Sequence, residues 1–218
     1  MNRTKIEYCD YTWNPIKGLC PEACWYCYGR AIYKRFKLDP KLRWAHEYLR
    51  AYKIPVGSKI FVCSTMEIFH PDVPKSWRDM IFKDIEEQGD LTFIILTKRP
   101  ELIDRVMPDN VWLGVSVEGG RPDQGVHRIK ELSKHDAKVR FVSIEPFFGS
   151  TLGPFEIFEP PMDWYIVGRL TGHGYQNDPT KLSIQLAVGK ARNIGAPIFL
   201  KNNLKSIWPG PLIQEFPK

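Results

Sequence analysis

Apolar residues fall along the chain in short continuous runs, separated by longer segments in which apolar positions recur at helical spacing. The runs Lys59–Ser64, Thr92–Thr97, Val111–Val117, Val139–Ile144, Trp164–Gly168 and Pro197–Lys201 are largely apolar rather than alternating. That is the pattern of strands covered on both faces in a parallel sheet. Within Ser76–Gln88, Trp77, Ile81 and Ile85 recur every four residues, while Asp79, Lys83 and Glu87 occupy other faces, which predicts an amphipathic helix. Val126, Ile129 and Leu132 predict another over Asp123–His135, and Leu182–Asn193 stops before Gly195. Pro100–Val106 is predicted as a short helix with proline near its start. A basic and aromatic stretch over about Glu22–Tyr52 predicts a longer helix, broken near Pro40.

Strand–helix alternation repeated this often implies βαβ crossovers, hence an α/β barrel or a doubly wound sheet. The residues after the strands separate the two. Ser64-Thr65-Met66-Glu67, Lys98-Arg99, Ser116-Val117-Glu118, Glu145-Pro146 and Lys201-Asn202-Asn203 set polar groups at nearly every strand end. Catalytic groups of α/β barrels converge at that rim, so a barrel or partial barrel is expected. Without a linker, low-complexity tract or sequence repeat, residues 1–218 are expected to form one domain. It would hold a cysteine loop over 18–28 and a C-terminal strand and tail over 197–218.

Composition narrows the class. Hydrophobic residues make up 43% and charged residues 26%, which argues against disorder. No apolar run approaches the ~20 residues of a membrane span, and the first residues lack a signal-peptide core, so a soluble cytoplasmic protein is expected. The net charge of +6 favours anionic partners without selecting one. The five cysteines say more, because Cys20, Cys24 and Cys27 fall within eight residues. An odd number without a secretory signal speaks against a disulfide framework.

Spacings of three and then two residues put three thiolates on one compact loop. Three sulfurs can hold three irons of a cubic [4Fe–4S] cluster and leave the fourth iron open to another ligand. A structural zinc site wants four ligands, and the fourth would have to be Cys9, Cys63 or a histidine. Three unrelated buried cysteines are the remaining alternative.

The Cys-x3-Cys-x2-Cys motif, with Tyr26 just before the third cysteine, resembles the signature of the radical S-adenosylmethionine (SAM) superfamily. More narrowly the chain resembles a phage-associated branch of it. That likeness is carried by Tyr11-Thr12-Trp13-Asn14-Pro15, Phe69 to Pro74, Leu96 to Pro100, Val111 to Glu118 and Ser143 to Pro146. The resemblance implies a partial (βα)6 TIM-like barrel of the radical SAM type, with Cys20, Cys24 and Cys27 holding the [4Fe–4S] cluster. It implies an enzyme in which SAM chelates the open iron and is reductively cleaved to a 5′-deoxyadenosyl radical that takes hydrogen from a substrate. A reductant such as flavodoxin or ferredoxin is implied as partner.

The same resemblance suggests roles at the rim. Ser64 to Glu67 stands in place of a glycine-rich segment that receives the SAM amino group, although both glycines are missing, which makes Ser64 and Glu67 candidates. Lys98 is expected to pair with the SAM carboxylate as a point charge. Ser116 and Glu118, two apart on one strand, are expected at ribose hydroxyls. Glu145 completes the cofactor-binding set with Tyr26. Lys98 with Glu118 or Glu145 can equally be an ion pair of the rim. Ser64, Lys98 and Ser116 also resemble the SAM contacts of the spore photoproduct lyase family, a more distant relative that repairs DNA and uses a cysteine as hydrogen donor. By that likeness Cys63 is a candidate catalytic residue, although its apolar strand also suits a core cysteine.

Gly168-Arg169-Leu170-Thr171-Gly172 stands where the phage-associated relatives tend to have Gly-Gly-Glu-Ser-Gly, so the substrate is expected to differ. Lys201, in Lys201-Asn202-Asn203 where relatives have Lys-Gln-Trp, is a candidate substrate contact. His46, His127 and His135 are expected in solvent, whereas His70 and His173 fall in rim loops. Over Tyr28–Lys53, cations including Arg30, Lys34, Arg35 and Lys37 interleave with Tyr33, Phe36, Trp44, Tyr48 and Tyr52. This suits DNA or RNA, or an amphipathic helix whose rings pack inward. Nucleic-acid repair or modification is the expected activity, with small-molecule and peptide substrates left open by the sequence; the alternative is a metal- or cluster-bearing nucleic-acid-binding protein without radical catalysis.

Overall fold

The computed structural model describes residues 1–45, 49, 53–118, 122–148, 155–172 and 176–218. It divides into two compact units, Met1–Trp112 and Leu113–Lys218.

The first unit carries β1 (Asn2–Arg3), β2 (Tyr11–Trp13), β3 (Ile16–Lys17), α1 (Tyr28–Phe36), β4 (Arg43–Trp44), β5 (Lys59–Val62), α2 (Lys75–Glu86) and β6 (Thr92–Thr97). Its sheet runs β1-β2-β5-β6. β1 is antiparallel to β2, but β2 is parallel to β5, with Trp13 opposite Val62, and β5 is parallel to β6, with Val62 opposite Ile95. The carboxyl ends of β2, β5 and β6 therefore lie at one edge. β3 and β4 form a separate antiparallel pair. Ile60, Phe93, Ile94 and Ile95 are inaccessible to solvent, and α2 buries Ile81, Phe82 and Ile85. Each such side chain contributes about 1.5–3 kcal/mol by leaving water. Trp77, expected on the same stripe, is only half-buried, with its ring 6.0 Å from that of Trp44.

In the second unit β7 (Val111–Val117, beginning in the first unit) is followed by α3 (Pro122–Leu132), β8 (Val139–Phe147), β9 (Trp164–Arg169), α4 (Lys181–Asn193) and β10 (Ile198–Leu200). Its strands lie in the order β7-β8-β9-β10. β8 is parallel to β9, with Phe141 opposite Trp164 and Ser143 opposite Ile166, and β9 is parallel to β10, with Ile166 opposite Phe199. Period-two alternation puts Phe141, Trp164 and Phe199 on one face. Their rings touch at centroid distances of 5.5 and 6.1 Å and form its apolar floor. α4 is capped by Thr180, whose hydroxyl accepts the Ser183 N–H at 3.1 Å.

The fold is thus α/β with mostly parallel strand pairing. The long helix expected over Glu22–Tyr52 is not formed as such. α1 spans Tyr28–Phe36 and ends at Lys37, which takes a left-handed conformation (φ 48°). Pro100–Val106 contracts to a single 3₁₀ turn over Pro100–Leu102. Among the described residues no helix is long and apolar enough to cross a membrane.

Candidate functional site

The three close cysteines sit on a loop folded by its own backbone. Ala23 N–H donates to the Cys20 carbonyl at 3.4 Å and Cys27 N–H to the Cys24 carbonyl at 3.1 Å. Ala23 takes φ 56°, unusual for a residue with a Cβ. Gly18 opens the loop at φ +120°, and a Cβ there would stand 2.7 Å from the Lys41 carbonyl oxygen, so no other residue fits without displacing the backbone. The Gly18 N–H donates to the Tyr33 hydroxyl at 2.9 Å, which ties the loop to α1. Cys20, Cys24 and Cys27 then line one small hollow, together with Thr65, Gly29, Arg30 and Tyr33.

Three different contacts hold this loop on the carboxyl ends of β5 and β6. The Glu67 backbone N–H donates to Cys20 Sγ at 3.3 Å. Lys98 Nζ donates to the Tyr26 hydroxyl at 2.6 Å and lies 5.4 Å from the centre of the Tyr26 ring. Arg99 Nε donates to Glu22 Oε2 at 2.8 Å, and the Glu22 side chain is only 13% exposed. Tyr26 and Lys98, both expected from the sequence at the cofactor, are partners of each other here.

Glu67 is the keystone behind this arrangement. Its carboxylate is buried, and Oε1 accepts the Thr97 hydroxyl at 2.6 Å and the Phe69 N–H at 3.2 Å, while Oε2 accepts the Lys98 N–H at 2.7 Å. Burial pushes its pKa above the ordinary carboxylate range, and the three hydrogen bonds oppose that shift. Burial likewise pushes the Cys20 thiol up to about 11, against backbone hydrogen bonds from Glu22 and Glu67 that favour the thiolate. Ser64 Oγ donates to Asn14 Oδ1 at 3.2 Å, which links the ends of β5 and β2. Cys63 is buried at φ 53°, with its thiol pushed upward chiefly by burial. His70 Nδ1 accepts the Asp72 N–H at 3.2 Å.

The second unit has its own polar group at the strand ends. Lys201 pairs with Glu145, and a Cβ on Gly168 would stand 2.9 Å from both the Glu145 Oε1 and the Lys201 Cδ. Arg128 donates to the Ser116 carbonyl at 2.8 Å and approaches Glu118 at 3.9 Å, while Ser116 Oγ reaches the Glu145 carbonyl at 3.4 Å. Arg169 pairs with Asp178, and Asn203 brackets the Arg169 backbone through both its N–H and its carbonyl.

Sequence reasoning placed Thr65 and Arg99 only as rim positions without a role, and missed Glu22, Thr97 and Arg128. Arg99 follows Lys98 at a strand end and Glu22 lies inside the cysteine motif, so opposite charges at two rim positions were the available signal. Thr97 carries none, since it reads as the last residue of an apolar strand. Inward packing of rings does not hold for α1, no residue of which is buried. Tyr48, Tyr52, His46 and His173 lie outside the described residues.

Chemically, three thiols around one hollow form a donor set for iron and sulfide. Among the described residues no three His, Cys, Asp or Glu side chains gather to hold a metal ion. A cluster does not require that convergence, because its cysteines bind different irons.

Comparison with curated protein sequences finds no match. Solved structures of spore photoproduct lyase share the fold at low identity. The lyase complexed with dinucleoside spore photoproduct has a TM-score of 0.56 at 15% identity, covering 88% of this chain and 63% of that one. A double mutant with bound AdoMet and dinucleoside spore photoproduct gives 0.56 at 14% identity with the same coverage. A single-site mutant gives 0.55 at 15% identity over 76% of this chain and 58% of that one. The chain thus spans roughly three-fifths of the lyase chains. Residues 3–202 match one family throughout, and the chain belongs to that family, described as Protein of unknown function (DUF5131).

Proposed function

We propose that this protein is a radical SAM enzyme of the phage-associated kind, a single-domain partial (βα)6 barrel. In this reading Cys20, Cys24 and Cys27 hold a [4Fe–4S] cluster and nucleic acid is the substrate for repair or modification. The observation that carries the proposal is the ring of three motif cysteines around one hollow, fastened to the ends of parallel strands. The fold shared with spore photoproduct lyase supports it, and the lyase structures that hold AdoMet or a dinucleoside photoproduct motivate the choice of cofactor and substrate.

When bound, the cluster and SAM would supply reductive cleavage of a sulfonium C–S bond and hydrogen abstraction from substrate. The protein's part is to hold and orient. Glu67 N–H favours the Cys20 thiolate that iron requires. Lys98, steadied by Tyr26, offers an ammonium at the strand end for the SAM carboxylate. The Glu67 carboxylate, engaged three times by the protein, acts by positioning Lys98 and the Cys20 anchor. That differs from the expected direct contact with the SAM amino group. Ser64 shares its hydroxyl with Asn14, while Thr65 lines the hollow and is the better candidate contact of that segment. In the second unit, Ser116, Glu118, Glu145 and Lys201 are proposed as binding residues, and Cys63 of the first unit as a hydrogen donor.

The test is anaerobic reconstitution followed by assay for 5′-deoxyadenosine with dithionite, SAM and single-stranded or duplex DNA or RNA. Bound iron of about four per chain and SAM cleavage are expected, both lost in Cys24→Ala. A cluster that forms but never cleaves SAM with any of these nucleic acids refutes the enzyme and leaves a cluster-bearing binding protein.

A further inference from the structure

The first turn of α1 breaks a rule that its last turn obeys. A helix N-terminus carries partial positive charge and favours acidic side chains, whereas basic ones suit the C-terminus. Lys34 and Arg35 lie in the last turn, but the first turn has no acidic residue and holds Arg30, third after the N-cap Cys27. Arg30 also lines the cysteine hollow, and is the only cationic residue among the described ones that do. The first turn lies directly against one of the sulfurs, since a Cβ on Gly29 would stand 3.4 Å from Cys27 Sγ. Lys98 and Arg99, the cations that fasten this loop, are engaged by Tyr26 and Glu22. Arg30 is half-buried, and its guanidinium has no hydrogen-bond or ion-pair partner among the described residues. A cation that neither suits its helix end nor meets a carboxylate is accounted for by negative charge on the thiols of the hollow.

Resting on the reading of Cys20, Cys24 and Cys27 as cluster ligands, we infer that Arg30 tunes the cluster's reduction potential, its fixed positive charge making the cluster easier to reduce. On reduction the cluster gains one electron from an external low-potential donor, dithionite in vitro. The donor is oxidised, no proton moves, and no bond to the cluster is made or broken. The cluster and its thiolates become one charge more negative, so a cation in the same hollow stabilises the reduced state more than the oxidised one. A guanidinium keeps its charge at every accessible pH, which makes this a constant bias rather than a switch. Half-burial protects it from the salt screening that weakens exposed charges. The Glu67 N–H, which donates to Cys20 Sγ, acts in the same direction from the opposite side of the loop sequence.

The experiment is a dithionite titration, followed by electron paramagnetic resonance, of anaerobically reconstituted protein without SAM. It compares wild type with Arg30→Gln, Arg30→Lys and Lys34→Gln. Lys34 is exposed on the same helix and does not line the hollow. In Arg30→Gln the equilibrium constant for reduction should fall at least tenfold, a shift of about 59 mV to lower potential for a one-electron couple. Arg30→Lys should recover most of that loss, and Lys34→Gln should change the constant less than about threefold. The potential is read per loaded cluster, so partial loading of a variant does not enter it. Equal potentials in wild type and Arg30→Gln overturn the inference and leave the cluster reading intact; wild-type protein that never holds iron overturns both. An equal fall in Lys34→Gln overturns the inference as well. So does weaker SAM binding by Arg30→Gln at an unchanged potential, which makes Arg30 an anion contact instead, and so does loss of all iron in Arg30→Gln alone, which makes it an assembly residue.

Discussion

Replacing Glu67 by alanine removes the acceptor for three donors at once: the Thr97 hydroxyl and the N–H groups of Phe69 and Lys98. The hydroxyl can rotate toward another acceptor, but the two backbone donors cannot. An unsatisfied buried donor costs about 1–3 kcal/mol. Deleting a buried carboxylate also relieves its own desolvation, so the net loss is about 2–4 kcal/mol. For a chain of this size that lowers Tm by roughly 5–15 °C, read by circular dichroism on the metal-free protein at neutral pH. Glu67→Gln retains the shape but turns an amide N–H toward a donor, and should cost about 1–2 kcal/mol. The two variants also differ in pH response. Burial raises the pKa of Glu67 above its ordinary value near 4.5, so the folded state holds this proton more tightly than the unfolded one. The stability of wild type relative to Glu67→Gln should be greatest below 4.5 and shrink as pH rises through the folded value. An alanine variant melting within about 2 °C of wild type, or a wild-type advantage that grows from pH 5 to 8, would sink this account of Glu67.

Arg99→Ala leaves the mostly buried Glu22 carboxylate without its guanidinium; a loss of about 1–2 kcal/mol and easier proteolysis of the cysteine loop are expected, whereas Arg99→Lys should recover part of it. Gly168→Ala pushes a methyl against the Glu145–Lys201 pair, and should lower Tm by roughly 2–8 °C for a cost of about 1–2 kcal/mol; an unchanged melt would show that the pair has room to move. Ala23→Gly relieves a left-handed residue at φ 56°. Against the added freedom of glycine in the unfolded chain, this should stabilise by about 0.5–1 kcal/mol, seen as a higher urea midpoint at unchanged slope.

The strands Thr92–Thr97 and Val111–Val117 were legible to the residue because both faces are largely buried, which leaves a continuous apolar run. β1 to β4, at two or three residues each, are too short to show any period and depend on partners elsewhere in the chain. The cysteine motif was legible because the spacing itself is the chemistry. Its anchoring was not: Glu22, Tyr26 and Cys20 meet residues 77, 72 and 47 positions away. Nothing local to Glu67 distinguishes a residue that binds a ligand from one that clamps two strand ends. α1 shows the complementary limit. The interleaved cations and rings of that stretch were legible, but sequence alone does not state whether a ring faces the core or the solvent.

The anchoring of the cysteine loop also imposes an order in time. Glu22 reaches the ribosomal exit 77 residues ahead of Arg99, its partner. At about 5–20 residues per second, the loop spends roughly 4–15 s outside its final setting, with three thiols held by nothing beyond local turns. A chain loaded or oxidised during that interval would meet metal or oxidant on an unfinished scaffold. Until β6 and the two residues after it have been synthesised and docked, the Lys98–Tyr26 and Arg99–Glu22 contacts that fasten the cysteine loop cannot form, so the second half of the first unit completes the setting of its beginning.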